Sequence, residues 1–599
     1  MAQPRKSFLP LFILSISLFS LIIFSLYPSS PQSLPSKSFH SHLINPTQSF
    51  TLTIKLLTFN RLHSLSRCLT SLSSAHYDSN RVNLHIYIDH FANGSPDLDQ
   101  KLNGSHQILD FVDGFVWKFG DKIVHYRTEN VGLQAQWLES WWPSDDNEFA
   151  FVVEDDLEVS PLYYKFLKGL ILEYYYNESN YSPWIYGASL QRPRFVPGKH
   201  GNKIQLDGGT RLFLYQLVGT WGQLLFPRPW KEFRLWYDIH KNKGIKPYLE
   251  GMVTTGWYKK LGEKIWTPWF IKFIHARGYF NIYTNFLGDR ALSVSHRDAG
   301  VNYGKSAGPD SYLLDESSLD FNLLEMQPLS NLRWYDFCFQ EVLPGRVVKH
   351  INEFGSVLNS VHKSKTIIFV SLYETSEELI RNLICHFERL NTLNYIFMGP
   401  ESSLLHDLAR RGHPVIDADK FFDNTRAPNA RSIPVSELEL VKDTYVKSYV
   451  IKKSLELGYN SWLVVGYIVP YSSESFVDSY TRTCDFFMSK DKSAFFARSS
   501  SSAHKIWVDQ VIANLEKMSN RDDSLARDGR RFMYVLDKVL ENKITEFDFG
   551  VDINANAVEK NVFWFPQMGL DIVQKKLQNL SLWLVDDNLS CNAVICHSN

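Results

Sequence analysis

Short apolar segments that alternate with amphipathic ones constrain the fold of this chain more than any other feature. Four apolar segments in the first series have the length and composition of β-strands: 50–59, 82–90, 122–130 and 148–156. Alternation of this kind is typical of βαβ units, which build mostly parallel sheets. A second series of the same type begins at Lys365. The sequence therefore predicts two α/β domains.

The amino-terminal residues predict a membrane anchor. Residues 8–27 carry no charge, and 20 residues are about the length that a helix needs to cross a bilayer. Arg5 and Lys6 precede this segment, so the positive-inside rule places the rest of the chain on the lumenal side. A cleavable signal peptide is the alternative, but its apolar core is shorter, roughly 7–15 residues. Residues 28–49 are rich in Ser and Pro and predict a stem.

The organisation predicted from these features has six parts. In chain order they are a cytosolic tail (1–7), a transmembrane signal-anchor (8–27), a stem (28–49), a first α/β domain (50–343), a linker (344–364) and a second α/β domain (365–599). Asn-x-Ser sequons follow the anchor, where a lumenal chain would be glycosylated. They lie at Asn93, Asn103, Asn177, Asn180, Asn579 and Asn588.

Composition excludes several classes of protein. Lys and Arg number 63 and Asp and Glu 64, so there is no basic excess of the kind that nucleic-acid binding favours. Six cysteines in 599 residues are too few for a disulfide scaffold, and none forms a Cys-x-x-Cys pair that would indicate structural zinc. Two alternatives stay open for Cys591 and Cys596: a local disulfide between them, or two free thiols.

Polar residues recur where the strands of the first series end. They are Thr58 and Arg61, then Asp89, then Glu129 and Asn130, and finally Glu154, Asp155 and Asp156. Because open α/β sheets bind ligands outside the carboxyl ends of their strands, this pattern predicts a binding crevice.

The three consecutive acids are the most informative part of this pattern. A triplet is expected by chance roughly 0.7 times in a chain of this composition, so its place after the apolar run 149–153 matters more than its existence. Carboxylates gathered at the end of a buried strand repel one another unless a cation or donor lies with them. Oxygen ligands of this kind suit Mg²⁺ or Mn²⁺. A solvated acidic turn is the alternative.

The segment VVEDDLEVSP (152–161) resembles the Glu-Asp-Asp motif of the GT-A-fold N-acetylglucosaminyltransferase I family. Other segments resemble pieces of that family in the same order. They are LLTFNRLHSLSRCL (56–69), HIYIDH (85–90), LVGTWGQLLFPRPWKEF (217–233) and VSHRDAGVNYG (294–304). The resemblance, which covers about residues 50–310, implies a GT-A domain with a Rossmann-like mixed sheet.

The resemblance also implies an activity. It is the transfer of a sugar, with inversion, from a nucleotide-sugar, expected to be a UDP-sugar, to a glycan or glycoprotein hydroxyl in the Golgi lumen. Asp156 matches the family's direct ligand for Mn²⁺ (or Mg²⁺). Glu154 and Asp155 match residues that hold the ribose and the sugar. Arg61 and Asp89 match contacts to the base and nearby groups. Thr58 is assigned to the same donor site.

One departure from the family concerns the catalytic base, which lies there in a Trp-Asp-Asp-Trp motif. The nearest counterpart is Trp266-Thr267-Pro268-Trp269, which has no acid, so Glu250 in KPYLEGMVTTGW is the candidate base. His296, in VSHRD, is a candidate for a metal or diphosphate contact. The ordinary alternatives are an exposed loop residue for Glu250 and a structural histidine for His296.

The second series resembles a nucleotide-diphospho-sugar transferase half without its acids. The strand that begins at Trp462 runs into Gly466-Tyr467-Ile468 where such folds carry Asp-x-Asp. We therefore expect the second domain to be non-catalytic. The whole chain is expected to be a single-pass type II Golgi membrane glycosyltransferase. The alternative is a catalytically inactive lumenal relative that binds glycans or supports a partner transferase.

Overall fold

A computed structural model describes the parts of the chain that are discussed from here on. They are residues 50–92, 97–194, 196, 198, 204, 206, 209–299, 305–317, 326–373, 375–424, 435–472, 474–476, 484–518, 531–552, 561–564 and 569–597. The predicted tail, span and stem, the sequon at Asn93 and residues 300–304 of the late segment lie outside this range.

The strands and helices follow the predicted alternation. The strands are β1 (Thr51–Thr58), β2 (Val82–Ile88), β3 (Lys122–Tyr126), β4 (Glu148–Glu154), β5 (Leu157–Val159), β6 (Ile185–Ser189), β7 (Leu212–Tyr215), β8 (Gln223–Leu225), β9 (Phe280–Thr284), β10 (Arg290–Ala291), β11 (Ser293–Ser295), β12 (Tyr312–Leu313), β13 (Arg333–Tyr335), β14 (Glu341–Val342), β15 (Val347–Val348), β16 (Thr366–Ser371), β17 (Tyr395–Gly399), β18 (Val415–Asp417), β19 (Asn460–Val464), β20 (Tyr467–Val469), β21 (Phe486–Ser489), β22 (Ala494–Ala497), β23 (Ile544–Phe547), β24 (Gly550–Asp552) and β25 (Asn561–Trp564). The α-helices are α1 (Leu62–Ser73), α2 (Leu98–Gly114), α3 (Gly132–Glu139), α4 (Tyr163–Ile171), α5 (Pro227–Asn242), α6 (Val253–Leu261), α7 (Thr267–Arg277), α8 (Ile351–Val361), α9 (Glu377–Leu390), α10 (Ser403–Arg410), α11 (Ala418–Asn424), α12 (Val435–Glu456), α13 (Ser501–Ile506), α14 (Ala513–Met518), α15 (Arg531–Val539) and α16 (Leu570–Asn579).

The first sheet has ten described strands in the order β14-β13-β7-β9-β6-β8-β4-β1-β2-β3. The four strands predicted from the sequence form a continuous parallel run in this sheet, since β2 and β4 flank β1 and β3 pairs with β2. The register sets Leu57 beside Glu154 and Thr58 beside Ile88. Three strands therefore end at the same edge of the sheet, which we call the carboxyl edge.

Apolar side chains cover both faces of this sheet, as expected for parallel strands that lie between helices. One core packs β1 and β2 against the buried face of α1, with Leu65 and Leu69 fully buried. Tyr163 and Tyr164 at the start of α4 are also buried and pack in this core. The opposite core is rich in tryptophan and includes Trp137 of α3 and Trp266.

The second sheet has eight described strands in the order β15-β18-β17-β16-β19-β22-β21-β23. Its parallel run β18-β17-β16-β19, followed by antiparallel β22, repeats the run β3-β2-β1-β4 and antiparallel β8 of the first sheet. Residues 344–364, predicted as a linker, contain α8 and β15, and β15 pairs with β18. The domain boundaries given above stay a prediction.

Two arginines at the end of α10 join the two sheets. Arg410 donates to the carbonyl oxygens of Arg277 (3.0 Å) and Gly278 (2.9 Å), and Arg411 donates to that of Ala276 (2.7 Å). These carbonyls end α7, where a helix leaves its acceptors without internal partners and carries partial negative charge. Asp407 forms ion pairs with both guanidinium groups and offsets part of their charge.

The cysteines of the C-terminal segment, which we define as residues 582–597, do not pair with each other. Cys596 is bonded to Cys338, 258 residues away, and Cys591 to Cys385, 206 residues away. Both alternatives from the sequence, a local disulfide and two free thiols, are therefore wrong. Spacing along the chain could not identify partners that only the packing of both halves brings within reach.

The predicted fold class is corrected in its membrane part. No helix in the part of the chain that the structure describes is long and apolar enough to cross a bilayer. The predicted span, residues 8–27, lies outside that part. What the structure supports is a mixed α/β protein with large sheets. The predicted single-pass Golgi localisation, which depended on that span, is corrected with it.

We expect the disulfides of the C-terminal segment to stabilise the fold, because each closes a long loop in the unfolded chain. Cys596→Ser or Cys591→Ser should lower the free energy of unfolding by about 2–5 kcal/mol. Urea unfolding with and without reductant measures this. Cys484→Ser, which changes a cysteine that forms no disulfide, is the control. Equal stability of all variants would contradict the pairing.

Candidate functional site

The carboxyl edge of the first sheet brings several of the predicted residues together. Thr58 ends β1, Arg61 follows it at the start of α1, and Asp155 and Asp156 follow β4. Because β1 and β4 are neighbours in register, residues nearly 100 positions apart in sequence come into contact there. The edge is closed on one side by β11, which pairs with β5 just after the acidic triplet.

Asp155 is the most enclosed member of the triplet, with 2% of the residue exposed. Thr58 Oγ1 donates to its Oδ2 at 2.8 Å, and the Arg61 guanidinium forms an ion pair with its Oδ1. Burial raises the pKa of Asp155, and the charge of Arg61 opposes that shift. In turn, the pKa of Arg61 is raised, because Asp155 and Asp156 outweigh the effect of its own burial. This carboxylate already has its hydrogen-bond partners.

Asp156 has weaker partners. Arg61 lies 3.8 Å from its Oδ2, and the Ser295 hydroxyl donates to the same oxygen at 3.4 Å. Its backbone oxygen accepts from the amide of His296 at 3.0 Å, which holds the end of β11 beside it. Burial, more than any neighbouring charge, raises the pKa of Asp156. Its side-chain contacts are longer than those of Asp155, so its carboxylate is available to a ligand.

Glu154 meets different surroundings, since successive residues of a strand point to opposite faces. The indole of Trp137 donates to its Oε1 at 3.1 Å, and Trp137 is fully buried. Burial, with the charges of Asp156 and Asp155 added, raises the pKa of Glu154 to about 8. This shift favours the protonated form of Glu154 near neutral pH, in which its carboxyl can donate a hydrogen bond as well as accept one.

The structure adds a group that the sequence did not indicate. Asp298 accepts hydrogen bonds from Ser64 (2.7 Å) and Arg67 (2.5 Å), both on α1. Its backbone oxygen lies 3.4 Å from Arg61, which donates to it. Asp298 belongs to the late segment VSHRD, where only His296 was singled out. Arg61 thus links the triplet to this segment, and α1 anchors it.

Asp89 ends β2 at the same edge but serves α3. Its carboxylate accepts from the amides of Val131 (3.0 Å) and Gly132 (2.9 Å) and from the side chain of Asn130 (3.3 Å). These amides open the helix, so Asp89 acts as a capping group for its first turn. The predicted contact of Asp89 with a base stays a prediction.

The other two candidates lie in different contacts. Glu250 is exposed, and its backbone pairs with the C-terminal segment through Asn592 (3.0 Å) and Val594 (2.8 Å). The imidazole of His296 is bonded to Glu158 at 2.8 Å. Within the described ranges, no three or more His, Cys, Asp or Glu side chains gather as a metal site.

One protein-family model matches the chain. It is described as the SPBC1E8.03c C-terminal domain and matches residues 63–241, which is less than half of the chain. No curated protein matches at a significant level.

Several solved structures show partial likeness. TarS 1-349 of S. aureus in complex with UDP-GlcNAc is 9% identical, over 72% of this chain and 84% of TarS, with a TM-score of 0.25. The glycosyltransferase GlyE of Streptococcus pneumoniae TIGR4 is 12% identical, over 62% of this chain and 80% of GlyE, with a TM-score of 0.20. Mannosyltransferase PcManGT of Pyrobaculum calidifontis, with GDP-Man and Mn²⁺, is 11% identical, over 36% and 53%, at 0.19.

For the first three matched structures, this chain covers 49%, 30% and 53% of their own length. It therefore spans about half of each of these three structures or less. None of the three described above is named as an N-acetylglucosaminyltransferase I, and that resemblance stays a prediction. TM-scores this low do not establish a common fold, so function is inferred below from the side chains of the site.

We expect Glu154 to make stability depend on pH. Below about pH 4.5, a carboxyl whose pKa is raised in the folded state is protonated in the folded and the unfolded chain, and it does not change the free energy of unfolding. As pH rises towards 8, the unfolded chain loses this proton more readily than the folded chain, which destabilises the fold. Without added metal, Glu154→Gln should therefore be more stable than the native chain at pH 9, by about 2–4 kcal/mol, and similar to it at pH 4.5.

Urea unfolding at the two pH values measures this difference. Glu178→Gln, which changes an exposed carboxylate, is the matched control and should show no such gain. A Glu154→Gln variant that loses stability equally at both pH values would show that Trp137 binds an ionised carboxylate.

Proposed function

We propose that this chain is a glycosyltransferase that takes its sugar from a nucleotide-sugar, with a UDP-sugar as the expected donor. The observation that supports the proposal is the group formed by Thr58, Arg61, Asp155 and Asp156 at the carboxyl edge of parallel strands. Ligands of open α/β sheets bind at this edge. The group offers both a cation and carboxylate acceptors, which suits a donor that carries phosphates and hydroxyls.

The reaction requires positive charge near the leaving nucleoside diphosphate. Arg61 is the cation closest to the triplet, and a quarter of its side chain is exposed. A guanidinium can bind phosphate through two parallel hydrogen bonds, and donor binding would let Arg61 exchange one carboxylate contact for a phosphate contact. Asp155, held by Thr58, would then accept from a sugar or ribose hydroxyl.

One carboxylate of the site, that of Asp156, can serve as a ligand for a divalent cation. Asp156 has a carboxylate oxygen whose nearest partners stand 3.4 and 3.8 Å away, and hard cations such as Mg²⁺ bind through one or two carboxylates and the phosphates of the substrate. Mn²⁺ or Mg²⁺ bound there would neutralise charge on the leaving diphosphate. His296 would contribute only after leaving Glu158. Asp156 is therefore the protein's proposed ligand.

The acceptor hydroxyl needs a base that removes its proton while it attacks the sugar from the face opposite the diphosphate, with inversion. Glu250 remains the proposed base because its carboxylate is exposed. Its backbone is fixed by the C-terminal segment, so the position of this residue depends on the disulfides described above.

A catalytically inactive relative that binds glycans or supports a partner transferase is the second candidate. Two observations favour it. Among the residues that the structure describes, no hydrogen bond or ion pair joins Glu250 to the triplet. The end of β19 in the second sheet carries Val464, Val465 and Gly466 where the first sheet carries acids. Only the first candidate requires both a nucleotide-sugar at the triplet and a catalytic base.

Donor binding tests the site. We expect Mn²⁺-dependent binding of UDP or a UDP-sugar to the native chain, measured by calorimetry over a panel of nucleotide-sugars. Asp156→Ala should lose this binding, because it removes the proposed metal ligand. Asp121→Asn, which lies before β3 at the opposite end of the strands, should bind as the native chain does. Unchanged affinity in Asp156→Ala would remove the metal assignment.

Turnover separates the two candidate functions. If Glu250 is the base, Glu250→Gln should lower the rate of sugar transfer by about 10²–10⁴-fold and leave donor binding unchanged. Sugar transfer by Glu250→Gln at the native rate would place the base elsewhere. Donor binding without transfer to any glycan by the native chain would favour the inactive relative.

A further inference from the structure

Three nitrogen-bearing side chains meet on the tryptophan-rich face of the first sheet, away from the triplet. They are Lys55 on β1, His85 on β2 and His125 on β3. His85 Nδ1 lies 3.2 Å from His125 Nε2 and 3.3 Å from Lys55 Nζ. The function proposed above uses none of these residues.

The spacing of the two imidazole nitrogens is that of a chelating pair. Zinc–nitrogen bonds of 2.0–2.1 Å at a tetrahedral angle place two ligand nitrogens about 3.3 Å apart. The observed 3.2 Å agrees with this value. Without metal, these contacts are hydrogen bonds. A metal ion would replace them if each ring kept its proton on its other nitrogen, since both facing nitrogens would then be able to bind it.

The two rings are also held in place. Both histidines lie on neighbouring strands, and the register of β2 and β3 sets Tyr87 beside His125. The rings of Tyr87 and His125 stack with centroids 4.2 Å apart and nearly parallel planes. Ligands on rigid strands lose little freedom on binding, which favours a site of defined geometry. Burial lowers the pKa of both His85 and His125, so both rings are neutral near pH 7.

We propose that His85 Nδ1 and His125 Nε2 bind a divalent transition-metal ion of the zinc type, distinct from the hard cation proposed at Asp156. Imidazole ligands favour Zn²⁺, Cu²⁺ and Ni²⁺, whereas carboxylates favour Mg²⁺ and Mn²⁺. Water completes the coordination. Both histidines are only partly buried, so solvent reaches the pair.

Lys55 regulates this site as a competitor. Its ammonium group points at His85 Nδ1, the atom that the metal requires, and its positive charge opposes a second cation. Removing that charge without removing a ligand should therefore strengthen metal binding. This behaviour distinguishes a metal site from a hydrogen-bonded cluster, which would only lose a contact.

Calorimetric titration of the full chain with ZnCl₂ tests the proposal. We expect one saturable site that His125→Gln weakens by roughly tenfold or more, and Lys55→Met should tighten it by roughly threefold or more. His63→Gln, which changes an exposed histidine, should bind as the native chain does. The site should also persist in Asp156→Ala, which separates it from the proposed donor site.

Melting of each variant without metal shows whether it folds, and His125→Cys, which restores a ligand for Zn²⁺, should recover binding that His125→Gln loses. Cobalt substitution gives a second readout, since Co²⁺ held by the two imidazoles absorbs visible light. The proposal is overturned if zinc binds equally to the native chain and His125→Gln, or if no saturable site exists.

Discussion

Burial of charge at the end of β4 is the constraint on which the rest of the site depends. Three consecutive acids leave the sheet where water is largely excluded, and each must find a partner or keep its proton. Asp155 finds Arg61 and Thr58, and Glu154 finds the indole of Trp137. Asp156 is the member left with the weakest partners. The differences among three adjacent carboxyls arise from their surroundings.

These surroundings are supplied by elements that are remote in sequence. The end of β1 and the start of α1 provide the cation and the hydroxyl, α3 provides the indole, and β11 provides the wall beside the triplet. Loss of any one of these partners would leave a carboxyl with less compensation in a poorly solvated place. A ligand that brings its own cation or hydrogen-bond donors can replace some of these partners. The same carboxyl groups can therefore be stabilised by the protein when the site is empty and by the ligand when it is bound.

The second half repeats the strand order of the first without its acids. Its contribution is visible at the contact between the halves, where Arg410 and Arg411 satisfy the last carbonyls of α7. The C-terminal segment then returns from the second half to the first and fixes the backbone of Glu250. The second half therefore holds the end of α7 and the backbone at Glu250, both in the first half.

The sequence alone was enough to predict four parallel strands of the first sheet and the edge at which they end. Apolar runs of strand length are local signals, and the ends of parallel strands meet by geometry, so Thr58, Arg61 and the triplet could be placed together in advance. Asp298 could not, because nothing local distinguishes an acid that binds α1 from any other loop acid.

Asp89 also shows that the sequence predicts the position of a residue but not the partner of its side chain. Its position at the end of β2 was correct, but whether its carboxylate faces a ligand or the amides of α3 depends on where the next helix begins. Tertiary structure alone also decided the disulfide partners, since Cys591 and Cys596 meet residues more than 200 positions away. The spacing of apolar residues that predicts a strand or helix depends only on neighbours in the sequence. The partner of a charged group or a thiol depends on which remote residues the fold brings within reach.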